Sequence, residues 1–475
     1  MRKQAVDNPL INRRAFLKLA GAGVAVAAPM ILQSRLWAGG AAAPSNKFNI
    51  ALIGCGGRGH GILQEAVALG ANLVALCDAE ARRINDTRKS TVAKYPDKQA
   101  MVDQARGYGD YRELIAQEKS LDGVLIAIGP WWHQPMSTAF IKAGKHVYCE
   151  KPLTRLVSEA RALGKLARES NVTTQMGTQG AAGETFRRAV EIVQNGLLGK
   201  IREVHAWNVV HPRRPDSQDR PPGEDRVPAG FNWDMWVGPS PERPYKRGVY
   251  CPGCMTTAMW FDFGAGLIGD FGTHTWQLPI RALKLGYPVR VEHNVPEPVK
   301  ETYASNAIIR YEFAARGELP PVTGWYYDTI NRPPKEVVSE MEAAFGKFPG
   351  VGAMLLGENG WMHIGGWGGG NYIKLKGDPK HRGVCDHPAA KEIPLTEPRA
   401  PKQNHMLEWI EAAQAGKKAY QCFEVAAHSM EITLTALVSL RMQRPIEWDG
   451  ANMKVPGATE ADRFIQADHR KKWLV

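Results

Sequence analysis

The chain has 475 residues, 44% apolar and 23% charged, proportions of a soluble globular protein that exclude a disordered chain and a polytopic membrane protein. At about 150 residues per domain the length allows roughly three units or two large ones. The formal charge of +12 would point to nucleic acid only if it were concentrated. Five of those net charges lie in residues 1–43 and the others are scattered without a Lys/Arg run, so no nucleic-acid partner is expected.

Residues 1–43 read as a targeting segment. Asn12-Arg13-Arg14-Ala15-Phe16-Leu17-Lys18 precedes an apolar, Gly/Ala-rich stretch over 19–32 and then small residues up to Ala43. This layout of charged, apolar and small-residue regions resembles a twin-arginine signal peptide, although Asn12 stands where Ser or Thr is more usual. An uncleaved anchor and a chance match are the alternatives. Fourteen apolar residues are too few to cross a bilayer core of about 30 Å comfortably, so no stable membrane span is expected. Pro44 would block a cut directly after Ala43. The twin-arginine export machinery carries folded proteins, so the expected location is periplasmic or extracytoplasmic and a cofactor can be loaded before export.

Over 46–177 the pattern alternates. Strands are predicted at 48–53, 72–77, 123–128, 146–149 and 172–176, with helices at 60–69, 111–118, 135–143 and 158–170. This alternation defines a doubly wound parallel sheet, an α/β Rossmann domain. From 178 to 475 it stops. A helix over 184–194 leads to a strand at 201–210 and a Pro/Arg/Asp-rich loop at 212–228. Further strands are predicted at 304–313, 322–327, 361–364 and 372–375, with helices at 405–415 and 424–441. Strands separated by loops predict a substrate-binding, catalytic α+β domain with a large open, mostly antiparallel sheet.

The first strand runs into Gly54-Cys55-Gly56-Gly57-Arg58-Gly59. A G-x-G-x-x-G run alone is weak, but between a strand and a helix it is the layout in which backbone approaches a pyrophosphate at a helix N-terminus. Asp78 ends the second strand, where a carboxylate accepts from both ribose hydroxyls and repels a 2′-phosphate. NAD is therefore favoured, while Arg82 and Arg83 nearby keep NADP open.

These segments, with Gly129-Pro130-Trp131-Trp132-His133, Glu150-Lys151-Pro152 and Gly269-Asp270-Phe271-Gly272-Thr273-His274, resemble the Gfo/Idh/MocA family of sugar and cyclitol oxidoreductases. Met176-Gly177-Thr178-Gln179 and Pro445-Ile446-Glu447-Trp448-Asp449 extend the resemblance over essentially the whole mature chain. Trp236-Val237-Gly238-Pro239 with Arg243-Pro244-Tyr245 is similar to its exported bacterial branch. The resemblance implies that Lys151 hydrogen-bonds the reacting hydroxyl and the nicotinamide ribose, that His274 is the acid/base, and that Asp270 orients or charges the imidazole. Independently, positions i and i+4 share a helix face, so Asp270 and His274 can present to one point. Without the family context the same two residues read as a helix N-cap and a buried histidine.

The resemblance further places Pro130 and His133 in the loop under the nicotinamide, makes Glu150 part of the cofactor site, favours a cis Lys151–Pro152 bond, and puts a homo-oligomer surface on the exposed face of the second sheet. For His133 the plain alternative is a packed turn histidine. Trp131 and Trp132 cover the cofactor, stack on a sugar or simply pack. Trp207, Arg213, Trp233 and Trp260 are candidate substrate contacts, although most tryptophans belong in cores. Gly365-Gly366-Trp367-Gly368-Gly369-Gly370 reads as a tight, flexible turn, since no strand-to-helix context makes it a phosphate loop. Of the seven cysteines, only Cys251 and Cys254 lie close together, as a local disulfide, two free thiols or, less well, metal ligands; no metal site is expected.

The expected function is hydride transfer between NAD(P) and a secondary hydroxyl of a sugar, cyclitol or glycoside. Free NAD is scarce outside the cytoplasm, which favours a tightly bound cofactor. The second reading is a glycosidase or lyase in which bound NAD oxidises the sugar transiently, elimination follows and the hydride returns. The third is a sugar-binding protein with a vestigial cofactor site.

Overall fold

The computed structural model describes residues 47–210, 217–251, 253–295, 300–466 and 468–474. The targeting segment and Arg213 lie outside the described residues. Six strands form the first sheet: β1 (Asn49–Ile53), β2 (Asn72–Cys77), β3 (Arg106–Tyr108), β4 (Gly123–Ile126), β5 (His146–Glu150) and β6 (Thr174–Gly177). They are parallel in the order β3-β2-β1-β4-β5-β6. The chain order reverses between β1 and β4, which opens a crevice at their C-terminal ends, where ligands of such sheets bind. The crossovers include helices α1 (Gly57–Ala68), α2 (Pro130–Lys142) and α3 (Val157–Glu169).

Helix α2 starts five residues before the predicted position. Pro130 occupies its first turn after Gly129 as N-cap, where proline's missing N–H costs nothing and its fixed φ suits a helix. Pro135 is carried inside the helix. Helix Ala81–Lys94 has no sequence forecast because only Ile84, Thr87 and Thr91 of its residues are buried, too few for an apolar stripe.

The second sheet has nine strands: β7 (Ile201–Asn208), β8 (Pro288–Asn294), β9 (Ile308–Phe313), β10 (Val322–Asp328), β11 (Val351–Gly357), β12 (Gly360–Gly365), β13 (Tyr372–Leu375), β14 (Arg382–Gly383) and β15 (Ile446–Glu447). Their order is β14-β13-β12-β11-β7-β10-β9-β8-β15. Every neighbouring pair is antiparallel except β7 with β10. The unforecast central strand β11, VGAMLLG, is buried along its first five residues, so it lacks the alternation that marks a half-exposed strand.

Helices α4 (Gly266–Asp270) and α5 (Gly272–Ala282) lie on one face of this sheet, where Trp276 packs edge-on to Tyr311 at 5.4 Å. Helix α6 (Lys335–Phe345) covers part of the other face, enclosing Trp207, Tyr327, Met354 and Trp361 with Val337 and Met341. The uncovered part of that face carries the ion-pair ladder Arg290–Glu292–Arg310–Glu312. The expected oligomer surface is thus partly occupied by the chain's own helix, and polar beyond it.

The boundary expected after residue 177 separates the two sheets but not the packing. Helix α7 (His405–Gln414) inserts Met406, Trp409 and Ile410 into the core under β1, β2 and α1, with Trp409 edge-on to Phe48 at 5.4 Å. Helix α8 (Phe423–Met442) packs along α3, where Gly164 abuts Ala427. Residues 47–475 form one compact unit.

Candidate functional site

The glycine turn occupies the crevice at the ends of β1 and β4. Helix α1 has Gly56 as N-cap, with no side-chain cap and no acidic residue in its first turn, leaving its amino-terminal N–H groups for an anion. Gly59 must lack a side chain, since a Cβ there would lie 1.9 Å from the Gly54 carbonyl oxygen; this contact lets α1 approach the strand. At the end of β2, Asp78 accepts from the backbone N–H of Cys55 at 2.8 Å and of Glu80 at 2.9 Å. Burial raises its pKa against the pull of those two N–H groups. Arg82 and Arg83, which left NADP open, both turn onto Glu80, at 3.1 and 2.8 Å.

Beside Asp78 lies a cavity of about 590 Å³, whose lining includes Ile84 and Tyr108 of the first layer and Gly230, Phe231 and Asn232. The last three belong to an excursion of the second half. Phe231 makes an antiparallel bridge to Glu80, and Asn232 N–H donates to the Ala79 carbonyl at 2.9 Å. Bare helix N-terminus, strand-end carboxylate and adjoining cavity fit, in that order, the pyrophosphate, ribose and base of a dinucleotide.

Glu150, expected on the cofactor, is instead engaged by protein. Its Oε1 accepts from Arg58 Nε at 2.8 Å and Nη2 at 2.7 Å, and from Gln179 Nε2 at 3.0 Å. It anchors the glycine turn to the ends of β5 and β6, which makes it a positioning residue.

Lys151 follows in a cis bond to Pro152. Its Nζ donates to Asp270 Oδ1 at 2.7 Å and stands 5.5 Å from the centre of the Phe271 ring. Asp270 ends α4 and His274 lies in the first turn of α5, with Phe271 in helical conformation between them. The i, i+4 expectation needs one correction: the Asp270 carboxylate reaches Lys151 and not the imidazole. His274 is 3% exposed and its Nδ1 has no hydrogen-bond partner. Burial, and then the positive charges of Lys151 and Arg58, push its pKa down to about 3, so the ring is uncharged at neutral pH.

The structure redirects several other expectations. His133 is buried with Nδ1 2.8 Å from the Pro152 carbonyl and Nε2 3.1 Å from the Ile128 carbonyl. It ties the β4 loop to the Glu-Lys-Pro turn and presents neither nitrogen to a ligand; burial lowers its pKa to about 4. Pro130 starts α2 and is buried. Trp131 and Trp132 donate to the carbonyls of Trp236 and Met235 and are packing residues. Trp207 points to the α6 face of the second sheet, its Nε1 donating to Pro349 O at 2.8 Å. Trp260 is 3% exposed against Tyr250, and Trp233 stacks on Trp236 at 4.7 Å. The rings found beside Lys151 and His274 are instead those of Phe271 and Trp367. The side chain of Cys254 lies outside the described residues.

Two residues without an assigned role join the site: Gln179, bound to Glu150, and Trp367, whose ring centre lies 6.4 Å from that of His274. The glycine run around Trp367 was the available signal for the latter. Among the described residues no group of three or more His, Cys, Asp and Glu could hold a metal ion, and no helix is long and apolar enough to cross a membrane.

Parallel sheet, glycine turn and Asp78 together define a Rossmann dinucleotide-binding protein. Residues 48–178 match the model of the GFO_IDH_MocA oxidoreductase family with its NAD-binding Rossmann fold. The chain is 29% identical over 205 residues to a glycosyl hydrolase family 109 protein of Shewanella amazonensis, covering 40% of this chain and 44% of that one. It is 29% identical over 169 residues to a myo-inositol 2-dehydrogenase of Thermotoga maritima, covering 35% and 47%. The chain thus spans under half the length of these relatives. The aldose-aldose oxidoreductase of Caulobacter crescentus, solved with glycerol, shares the fold with a TM-score of 0.54 at 15% identity, over 84% of this chain and 99% of that one.

Proposed function

We propose that the protein is an oxidoreductase that moves a hydride between tightly held NAD and a secondary hydroxyl of a sugar, cyclitol or glycoside. The observation that carries this reading is the Lys151–Asp270 pair beside an uncharged, buried His274, at the crevice where the glycine turn would hold a dinucleotide. The turn 54–59 and Asp78 bind the cofactor; Glu150 and Gln179 hold Arg58 and the turn in place. When bound, NAD supplies the hydride acceptor. The chain supplies the proton chemistry. Lys151 Nζ, fixed by Asp270, donates to the reacting oxygen and stabilises negative charge developing on it. His274, uncharged at neutral pH, accepts the hydroxyl proton as general base. In the reverse direction the imidazole returns that proton.

Similarity to a glycosyl hydrolase family 109 protein favours a second reading, in which the same oxidation acidifies a neighbouring C–H, a glycosidic bond is eliminated and the hydride returns. We read residues 1–43 as a twin-arginine signal, so the folded, cofactor-loaded protein would act outside the cytoplasm, as a homo-oligomer. One experiment separates the readings. Protein matured through its own export route is denatured with acid, the released nucleotide is identified and counted per chain, and the intact protein is assayed with free sugars, myo-inositol and nitrophenyl glycosides. NADH formation from a free sugar or cyclitol supports the first reading and nitrophenol release the second. Stoichiometric nucleotide with neither activity would sink both.

A further inference from the structure

The glycine-flanked tryptophan is the least economical residue of the site. Trp367 has φ 60° and ψ 12°, a left-handed conformation that bulky side chains avoid. The residue is 54% exposed, although a large aromatic ring gains most by burial. Glycine would satisfy the backbone better, and five glycines flank the position.

The turn is closed by hydrogen bonds on one side and by close packing on the other. Asn371, 1% exposed, accepts from Gly365 N–H at 3.1 Å and donates to the Gly368 carbonyl at 3.1 Å, closing the loop on itself. On the other side the Trp367 carbonyl sits against Gly180 so closely that a Cβ there would lie 1.5 Å from the oxygen. Gly180 adjoins Gln179, which is bound to Glu150 at the glycine turn. The backbone that carries the indole is therefore tied to the same framework as the cofactor turn, and the ring centre lies 6.4 Å from that of His274. Strain that the surroundings enforce, on an exposed ring beside a reactive group, is the signature of a ligand contact.

We propose that Trp367 is a stacking platform for the apolar C–H face of a pyranose or cyclitol ring, setting which ring carbon lies beside His274. This rests on the sugar reading above. A ring substrate presents a flat C–H face that an indole can cover, whereas an acyclic polyol has none of fixed shape.

The test is calorimetric titration of NAD-loaded protein with D-glucose, D-galactose, N-acetyl-D-galactosamine and myo-inositol, followed by the tightest of these on Trp367→Gly and Trp367→Asn. Both replacements suit left-handed backbone, so their melting temperatures should equal or exceed that of the wild type. Their affinity should fall by about tenfold or more, and KM should rise with kcat changed less; Trp367→Phe should stay within about threefold. Undiminished affinity in the Gly and Asn variants would overturn the platform and leave the sugar reading standing. A wild-type protein that binds none of the four rings would overturn both.

Discussion

Lys151 and Asp270, 119 positions apart in sequence, meet at 2.7 Å across the junction of the two sheets. One belongs to the turn after β5 and the other to α4, so the pair forms only when both layers are in place. Lys151→Met should reduce turnover by about 10²- to 10⁴-fold while leaving NADH affinity within severalfold. Because Lys151 is 24% and Asp270 11% exposed, the stability cost of the unpaired carboxylate should be modest, on the order of 1–2 kcal/mol. Turnover and urea denaturation of the same preparation check both parts.

Asp78→Ala should weaken NADH binding about 10- to 100-fold through loss of charged acceptors for the ribose. It also leaves the Cys55 and Glu80 N–H groups without their acceptor, so the denaturation midpoint should fall as well. Fluorescence titration with NADH and NADPH would measure it; an unchanged NADH affinity would refute the assignment of the ribose site.

Four buried histidines contribute to the pH dependence of stability, opposed by Asp78, Glu159, Asp328 and Glu408, whose carboxyl pKa values burial raises. His133, His363 and His405 have pKa values lowered to about 4 and His274 to about 3, in each case chiefly by burial. Unfolded imidazoles take up protons near pH 6.5 and the folded ones do not, so the unfolded state binds more protons between about pH 6.5 and 4. The stabilisation is full above that window and falls as pH drops through it, on the order of 1.4 kcal/mol per pH unit for each histidine. Denaturation midpoints of the wild type and His363→Gln at pH 7, 6 and 5 isolate one such ring, and the wild type should lose more stability than the variant as pH falls. Equal pH slopes would mean that this ring is charged in the folded protein.

Trp409→Ala removes a ring that packs on Phe48 and Tyr148 and abuts Gly123. The cavity should cost about 3–5 kcal/mol. Although α7 supplies none of the glycine turn, NADH binding should weaken too, because β1, which aims the turn, rests on that ring. Thermal unfolding with and without NADH checks both effects.

Much of the fold was legible in the sequence. Strand periodicity gave five of the six parallel strands, and the glycine turn and Asp78 meet in the structure, through the Cys55 N–H bond to Asp78, as the local pattern expects. The tryptophans were opaque for a geometric reason. Side chains alternate between faces along a strand, so Trp207 lies toward α6 while its neighbour Asn208 turns to the opposite face, and composition does not reveal which face a strand presents. His133 and Glu150 misled differently: residues that position a site share its segments, and only coordinates show whether a side chain meets a ligand or a neighbouring carbonyl. The partner of Asp270 needed tertiary structure as well, since i, i+4 spacing names a candidate but not a competitor 119 positions away.

Helix α7 has a consequence for the order in which the molecule can be made. The core under β1 and β2 contains Met406, Trp409 and Ile410, so the first sheet is completed only by a segment synthesised long after its own strands. A chain stopped before residue 405 would carry the entire glycine turn yet leave Phe48, Gly123 and Tyr148 without their lid. The NAD-binding half is thus contiguous in sequence only as a pattern; as a folding unit it is closed by α7.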